Sequence, residues 1–278
     1  MTLNGLAERI FAGRWIAGAT IEDAIKRAKE LNGRGAGAII NYLGEDFASK
    51  KDVDEAVSTY KALIDRIAVE RLDAAISMKV TQLGFAIDPE VAYANYNALV
   101  DAAREKNVFA WLDMEGSDTI EGTIKAYAQQ AGKGGTGVAI QAYLKRSMYD
   151  LSRVVSAGGR VRLVKGAYKE KPIFAYKSKK DIDGNYNRML QYLFDNADAF
   201  TVATHDSKFI ELSIAMNEYY KKKVTYAMLN GIRNGYAYKL AKSVRMELYL
   251  PFGARWIDYS YRRLREAGHA MLILRSLL

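Results

Sequence analysis

The chain of 278 residues contains no cysteine. Disulfides, thiolate metal sites and a cysteine nucleophile are thereby excluded. The composition suits a reducing compartment. Histidine is scarce as well: His205 and His269 stand far apart without neighbouring carboxylate ligands, a poor basis for a metal site. Only three prolines occur and no low-complexity linker interrupts the chain, so residues 1–278 are expected to form a single domain. No apolar run approaches the ~20 residues that span a bilayer. The start, Met1-Thr2-Leu3-Asn4-Gly5, lacks a basic region followed by an apolar stretch, so no secretory signal is expected. The expected residence is cytoplasmic, with a peripheral contact to the inner face of a membrane left open.

Half the residues are hydrophobic and 26% are charged, enough apolar content to bury a full core. The formal net charge is +9, but the basic residues are spread along the chain. The densest run, Lys177-Ser178-Lys179-Lys180, is followed at once by Asp181 and Asp183 and reads as a solvated face. Nucleic-acid binding would need clustered basic residues interleaved with stacking aromatics, and neither is evident. Gly132-Lys133-Gly134-Gly135-Thr136-Gly137 has the G-x-G-x-x-G spacing of a dinucleotide fingerprint. It follows a helical pattern and precedes a strand, the reverse of the order the fingerprint needs, so it is expected to be a flexible loop.

Short β-rich runs alternate with longer segments of helical periodicity. The expected strands are Ala38–Asn41, Ala75–Thr81, Phe109–Met114, Val138–Ala142, Val161–Val164, Phe200–Ala203, Thr225–Leu229 and Met246–Leu250. Between them, Ile21-Ala24-Ile25-Ala28-Leu31 and Val91-Tyr93-Tyr96-Leu99-Val100-Ala103 recur at helical spacing. Alternating β and α implies a parallel sheet. Eight such units in about 250 residues suggest a closed (β/α)8 TIM barrel, with a doubly wound open sheet as the alternative. Ligands of such barrels bind where strands end. The polar residues at those ends include Glu45, Lys79, Asp113, Gln141, Arg162 with Lys165, Thr204 with His205, Asn230 with Arg233, and Tyr249. Converging on one mouth, they would suit a polar, anionic ligand. After the last strand, Trp256, Asp258, Tyr259 and Arg262-Arg263 would share a helical segment, and a guanidinium pair there suits bidentate capture of a carboxylate.

Together these segments resemble the proline dehydrogenase family. The resemblance rests first on Arg162-Leu163-Val164-Lys165-Gly166-Ala167-Tyr168 and on Ala203-Thr204-His205-Asp206. It rests also on Tyr249-Leu250-Pro251-Phe252-Gly253 followed by Trp256, Tyr259 and Arg262-Arg263. Supporting matches are Leu43-Gly44-Glu45, Lys79-Val80-Thr81-Gln82-Leu83-Gly84, Leu112-Asp113-Met114-Glu115 and Gln141-Ala142-Tyr143-Leu144-Lys145-Arg146. They occur in the family's order from about residue 15 to the end. The chain departs on strand 7, where Thr225-Tyr226-Ala227 replaces the family's Glu-Phe-Gln while Leu229, Gly231 and Arg233 are kept.

The resemblance implies a barrel with an N-terminal helical extension, holding FAD without a Rossmann domain. It implies oxidation of L-proline to 1-pyrroline-5-carboxylate, with hydride leaving C5 for the flavin and electrons passing to a membrane quinone. By resemblance, Met114, Gln141, Arg162, Lys165, Gly166, Ala167, Thr204 and His205 contact the flavin. Arg162 and Lys165 would place positive charge near the ring that is reduced. Asp113 matches the catalytic aspartate, and Lys79, Arg262 and Arg263 match the carboxylate clamp. Tyr249, Tyr259 and Leu229 would pack on the substrate ring, and Glu45 would pair with Arg262 on closure. Tyr249 would favour proline over hydroxyproline, whose users in the family tend to carry a smaller residue there. Two other readings stay open: a barrel aldolase forming a Schiff base through Lys165 or Lys79, and a basic, non-enzymatic nucleic-acid binder.

Overall fold

The computed structural model describes residues 15–255. Eight strands, β1 (Gly37–Tyr42), β2 (Ala74–Met78), β3 (Phe109–Leu112), β4 (Thr136–Gln141), β5 (Arg160–Val164), β6 (Ala199–Ala203), β7 (Lys223–Leu229) and β8 (Arg245–Phe252), close into a barrel in sequence order. Every neighbouring pair is parallel, including β1 with β8, where Ile39 lies opposite Tyr249. All eight expected strands are present and the open-sheet alternative is not realised.

Helices run between the strands: α1 (Ile21–Asn32) before β1, then α2 (Lys50–Val69), α3 (Pro89–Glu105), α4 (Ile120–Ala128), α5 (Ser147–Ser156), α6 (Lys179–Asn196), α7 (Ser207–Tyr220) and α8 (Asn234–Leu240). Their starts are written in the sequence. Thr20 caps α1 in a reciprocal box with Asp23, Asp88 caps α3 ahead of Pro89, and Ser178 and Asp206 cap α6 and α7. Each side-chain oxygen satisfies an amide that the first helical turn leaves without a partner. The periodic residues Ala24, Ile25, Ala28 and Leu31 of α1 are buried, as are Tyr93, Tyr96, Leu99, Val100 and Ala103 of α3. Val91, assigned to the same stripe, is exposed. The glycine-rich segment Gly132–Gly135 links α4 to β4 and opens no helix.

Three strand ends differ from expectation in a way that shapes the mouth. β3 stops at Leu112, short of the expected Met114, which leaves Asp113 and Met114 past the strand. β2 stops at Met78, and Val80–Gln82 form a single 3-10 turn. The Gln82 side-chain oxygen accepts the Lys79 amide at 3.0 Å, which draws the chain out of the strand. β8 continues to Phe252, so Tyr249 lies inside the strand and not at its end. Val164 ends β5, which leaves Lys165 and Gly166 in the following loop.

Inside the barrel the strands contribute every second side chain. Trp111 fills the centre, against Ile39, Ala75 and Ala227. A Cβ on Gly137, opposite Trp111 in the β3–β4 register, would lie 2.4 Å from the indole, so only glycine admits the ring. The guanidinium carbons of Arg162 and Arg160 lie 4.9 and 5.8 Å from the Trp111 ring centroid. The atypical β7 residues fit this layering. Thr225 accepts a hydrogen bond from Arg160 at 3.2 Å, Ala227 packs on Trp111, and Tyr226 faces α7 through Ser213.

Candidate active site

Asp113 is the first residue past β3, and its backbone N–H donates to the Met78 carbonyl at 2.8 Å, tying it to the end of β2. Its carboxylate is nearly closed off from solvent and collects donors from three other strands. Ser77 donates to Oδ1 at 2.9 Å and Tyr249 donates to Oδ2 at 2.6 Å. Arg162 Nη2 also donates to Oδ1, and the Lys79 ammonium stands 3.9 Å from Oδ2. Burial by itself raises the Asp113 pKa, but Arg162, Lys79, Tyr249 and Ser77 outweigh it and hold the carboxyl below the usual carboxylate range. Lys79 is the mirror case. Burial lowers its pKa, and its surroundings, Tyr168, Tyr249, Asp113 and Glu115, reverse this and keep the amine protonated.

Arg162 is buried, and its guanidinium lies 5.5 Å from the Tyr249 ring centroid. One nitrogen, Nη1, is buried with no hydrogen-bond partner among the described residues. Orphaned buried donors are rare, and one beside a paired carboxylate suits an acceptor on a bound molecule. Lys165 is arranged differently. Its ammonium is held at 2.7 Å by Asp183 of α6 and at 2.7 Å by the α7 cap Asp206, so its charge is already matched by two carboxylates.

Glu115, two residues beyond Asp113, is as buried but has no ion pair among the described residues. Thr81 donates its hydroxyl to one oxygen at 2.8 Å and its amide to the other at 3.3 Å. Burial pushes the Glu115 carboxyl up to about 7, against the opposing pull of Lys79 and the Thr81 donors. Gln141, at the end of β4, donates to the Glu115 carbonyl at 2.8 Å. Tyr168 reaches across the mouth from the loop after β5, with its hydroxyl 3.5 Å from Lys79 Nζ and 3.5 Å from a Glu45 oxygen. Thr204 is buried and its hydroxyl accepts the Asp206 amide at 3.1 Å. His205 Nε2 accepts the Leu229 amide at 3.0 Å, which leaves the ring proton on Nδ1 in the neutral form. Gly166 has φ +107, and a Cβ there would lie 2.1 Å from the Tyr143 ring, so the backbone approaches that ring as only glycine allows. Met114 is buried and Ala167 half-buried beside these groups in sequence.

Lys79, Arg162 and Tyr249 thus converge on Asp113, Glu45 lies near Lys79 through Tyr168, and Gln141 is bonded to the Glu115 carbonyl. Lys165 forms a neighbouring cluster with the starts of α6 and α7, and His205 with Leu229 forms another. Tyr259, Arg262 and Arg263 lie outside the described residues, as do Trp256 and His269. Reasoning from sequence gave no role to Ser77, Glu115 or Tyr168. Ser77 was marked by its place in an otherwise apolar strand, two residues before Lys79. Glu115 was marked by the same two-residue step from Asp113.

The site is a buried cluster of alternating charge at the mouth of a (β/α)8 barrel, the end at which barrels of this class hold their active sites. The family described as "Proline dehydrogenase" matches residues 24–275, and this chain belongs to that family. Proline dehydrogenase 1 of Bacillus subtilis (strain 168) is 33% identical over 97% of this chain and 91% of its own length. The proline dehydrogenase of Deinococcus radiodurans is 29% identical over 96% and 90%. Among solved structures, proline utilization A from Bdellovibrio bacteriovorus superposes with a TM-score of 0.88 at 21% identity, over 99% of this chain and 35% of that one. A Bradyrhizobium japonicum proline utilization A variant gives 0.81 at 24%, over 94% and 31%. The chain spans about a third of those longer proteins, which share its fold.

Proposed function

We propose that this chain oxidises L-proline to 1-pyrroline-5-carboxylate with a bound FAD and passes the electrons to a quinone. The observation that carries the reading is the carboxylate of Asp113, dehydrated yet held ionised by Arg162, Lys79 and Tyr249. When bound, a flavin would supply the acceptor for the hydride that leaves proline C5. The chain's own residues supply position and charge. Lys79, with Arg262 and Arg263, takes the proline carboxylate. Ionised Asp113 accepts the N–H of the ring nitrogen, whose lone pair must be available as the C5 hydride departs. Tyr249, Leu229 and Tyr259 pack on the ring and exclude water, and Glu45 pairs with Arg262 on closure.

The flavin contacts are Met114, Gln141, Arg162, Lys165, Gly166, Ala167, Thr204 and His205. The unpartnered Arg162 Nη1 is a buried donor of the kind a flavin ring atom would accept from. Of the two cations, Arg162 keeps a hydrogen-bonding group in hand, whereas Lys165 is already bound on both sides by carboxylates. A Schiff-base aldolase is disfavoured by the same geometry, because a nucleophilic lysine must be neutral and free, whereas Lys79 stands 3.9 Å from the Asp113 carboxylate and Lys165 is paired with Asp183 and Asp206.

The test is spectroscopic. Purified protein should be yellow, and anaerobic L-proline should bleach its flavin band. Acid precipitation should release FAD, since no cysteine exists for a thioether link. A colourless protein that cannot be reconstituted with FAD, or a flavin band indifferent to proline, would sink the reading.

A further inference from the structure

The loop from Val164 to Lys179, between β5 and α6, leaves the barrel on the mouth side. Its backbone is pinned. The Lys145 amide donates to the Phe174 carbonyl at 2.9 Å, and the Tyr176 amide donates to the Tyr143 carbonyl at 2.8 Å. Leu144 and Ala175 form an antiparallel bridge, and Ala175 is buried. Glu170 is fixed from the other side, accepting the Ser117 amide at 2.6 Å and its hydroxyl at 2.7 Å. Within these anchors the chain turns tightly, with the Phe174 and Ala175 amides both donating to the Lys171 carbonyl.

The turn holds two large apolar side chains out of the protein. Ile173 is 72% exposed and Phe174 is 46% exposed, next to exposed Pro172. Single exposed apolar residues are ordinary. An adjacent pair on an anchored turn is different, because the loop could not bury them without losing its own hydrogen bonds. Within seven residues of the pair along the chain lie Lys169, Lys171, Lys177, Lys179 and Lys180, all exposed. Of the carboxylates in this stretch, Glu170 is hydrogen-bonded by Ser117 and Asp181 by Ser178, while Asp183 pairs with Lys165 and Lys179; among the described residues Lys169, Lys171, Lys177 and Lys180 form no ion pair. The result is an exposed apolar tip in a stretch of chain rich in exposed ammonium groups.

From this we infer that residues 169–180 dock the protein on an anionic lipid surface, with Ile173 and Phe174 entering the headgroup boundary and the lysines meeting lipid phosphates. An interface of this kind combines buried apolar area with attraction to acidic headgroups. A nucleic acid would match the charge but offers no apolar layer for Ile173. The inference deepens the reading that electrons leave for a membrane quinone. The loop carries Lys165 and Tyr168 of the mouth, so docking there brings the reaction site to the bilayer where such an acceptor resides.

The test is co-sedimentation with vesicles of phosphatidylglycerol and phosphatidylcholine, against vesicles of phosphatidylcholine alone, using the full chain with its flavin. Binding is expected to the anionic vesicles only, and to weaken as salt rises from about 0.1 to 1 M and the screening length falls from ~10 to ~3 Å. Ile173→Asp combined with Phe174→Asp should weaken it at least ~10-fold. Lys171→Glu combined with Lys180→Glu should weaken it by more than roughly five-fold per altered residue. Both variants should keep native proline-dependent reduction of a soluble dye, which shows that they fold. Absence of vesicle binding by the native protein, or native-like binding by both variants, overturns the proposal. So does an apolar variant that splits a native dimer on gel filtration while vesicle binding persists, since the tip would then be a self-association surface. Vesicle binding without any proline-dependent dye reduction would instead sink the enzymatic reading and leave the docking surface standing.

Discussion

At the mouth of the barrel Asp113 meets Arg162 with both side chains buried; at the floor Asp73 meets Arg245 with both about half exposed. The residue types are the same. At the floor, water screens the pair, and exposed ion pairs contribute about 0–1 kcal/mol. At the mouth, desolvation is severe, and each charge is tolerable only because the others are present. The mouth pair is therefore poor as a simple strut and suited to holding a fixed field where a substrate charge arrives. A second contrast lies within the mouth. Asp113 and Glu115 are two residues apart and equally buried, yet one is held ionised and the other is pushed to about 7. Direct cationic partners decide the difference.

The largest effect that sharpens this comparison is expected at Asp113. Asp113→Ala leaves Arg162 and Lys79 buried without their carboxylate, and should destabilise the fold by about 3–5 kcal/mol in urea unfolding. The milder Asp113→Asn should lower kcat/KM for proline by at least ~100-fold, roughly 2.7 kcal/mol of lost transition-state stabilisation. A change below ten-fold would return the mouth pair to the status of the floor pair. Asp113 also has a signed pH effect. Its folded pKa is depressed, so its contribution is present above the unfolded value near 3.9 and lost as pH falls through the lower folded value.

Next in size is Glu115. Its folded pKa of about 7 exceeds the unfolded value, so its contribution is full below roughly 4.3 and declines up to about 7, at up to ~1.4 kcal/mol per pH unit. Glu115→Gln should flatten that slope. Urea midpoints at mildly acidic and mildly alkaline pH measure it, and an unchanged difference between them would mean that Glu115 does not titrate in this window.

Tyr249 comes third. Tyr249→Phe keeps the ring but removes the hydrogen bond to Asp113, and loss of a bond to a charged group costs about 1.5–3 kcal/mol. A fall of roughly 10- to 100-fold in kcat/KM for proline is expected. Tyr249→Ser should reduce proline use further while reducing hydroxyproline use much less or raising it. An equal factor on both substrates would remove Tyr249 from the selectivity site. The smallest effect belongs to the floor, where Asp73→Ala removes the exposed partner of Arg245 and should cost less than about 1 kcal/mol and leave kcat unchanged. A floor variant that impaired turnover would show that the two ends of the barrel are coupled.

All eight strands were legible because a buried strand announces itself locally, in a short β-branched run bounded by turns. The helix caps Thr20, Asp88, Ser178 and Asp206, which the reading of the sequence did not single out, act over the same short range, each reaching only two or three residues along the chain. The polar strand ends Lys79, Asp113, Gln141 and Arg162 could be read off once the strands were placed. Their partners could not. Asp113 is bound by residues 36, 49 and 136 positions away, and no local pattern specifies such a set. Nor could the sequence say that Lys165 turns to Asp183 and Asp206 while Arg162 keeps an unpartnered nitrogen.

The sequence alone determined the order of elements, their alternation and the residues at the mouth, because periodicity and capping act over a few residues. Barrel closure decided the rest. It set β8 against β1, placed Trp111 across the interior, and brought side chains of three other strands onto the Asp113 carboxylate. It also excluded water from Asp113 and Glu115 alike. The state of each then rests on which cations closure delivered within reach, a property of the assembled barrel that no stretch of the chain carries by itself.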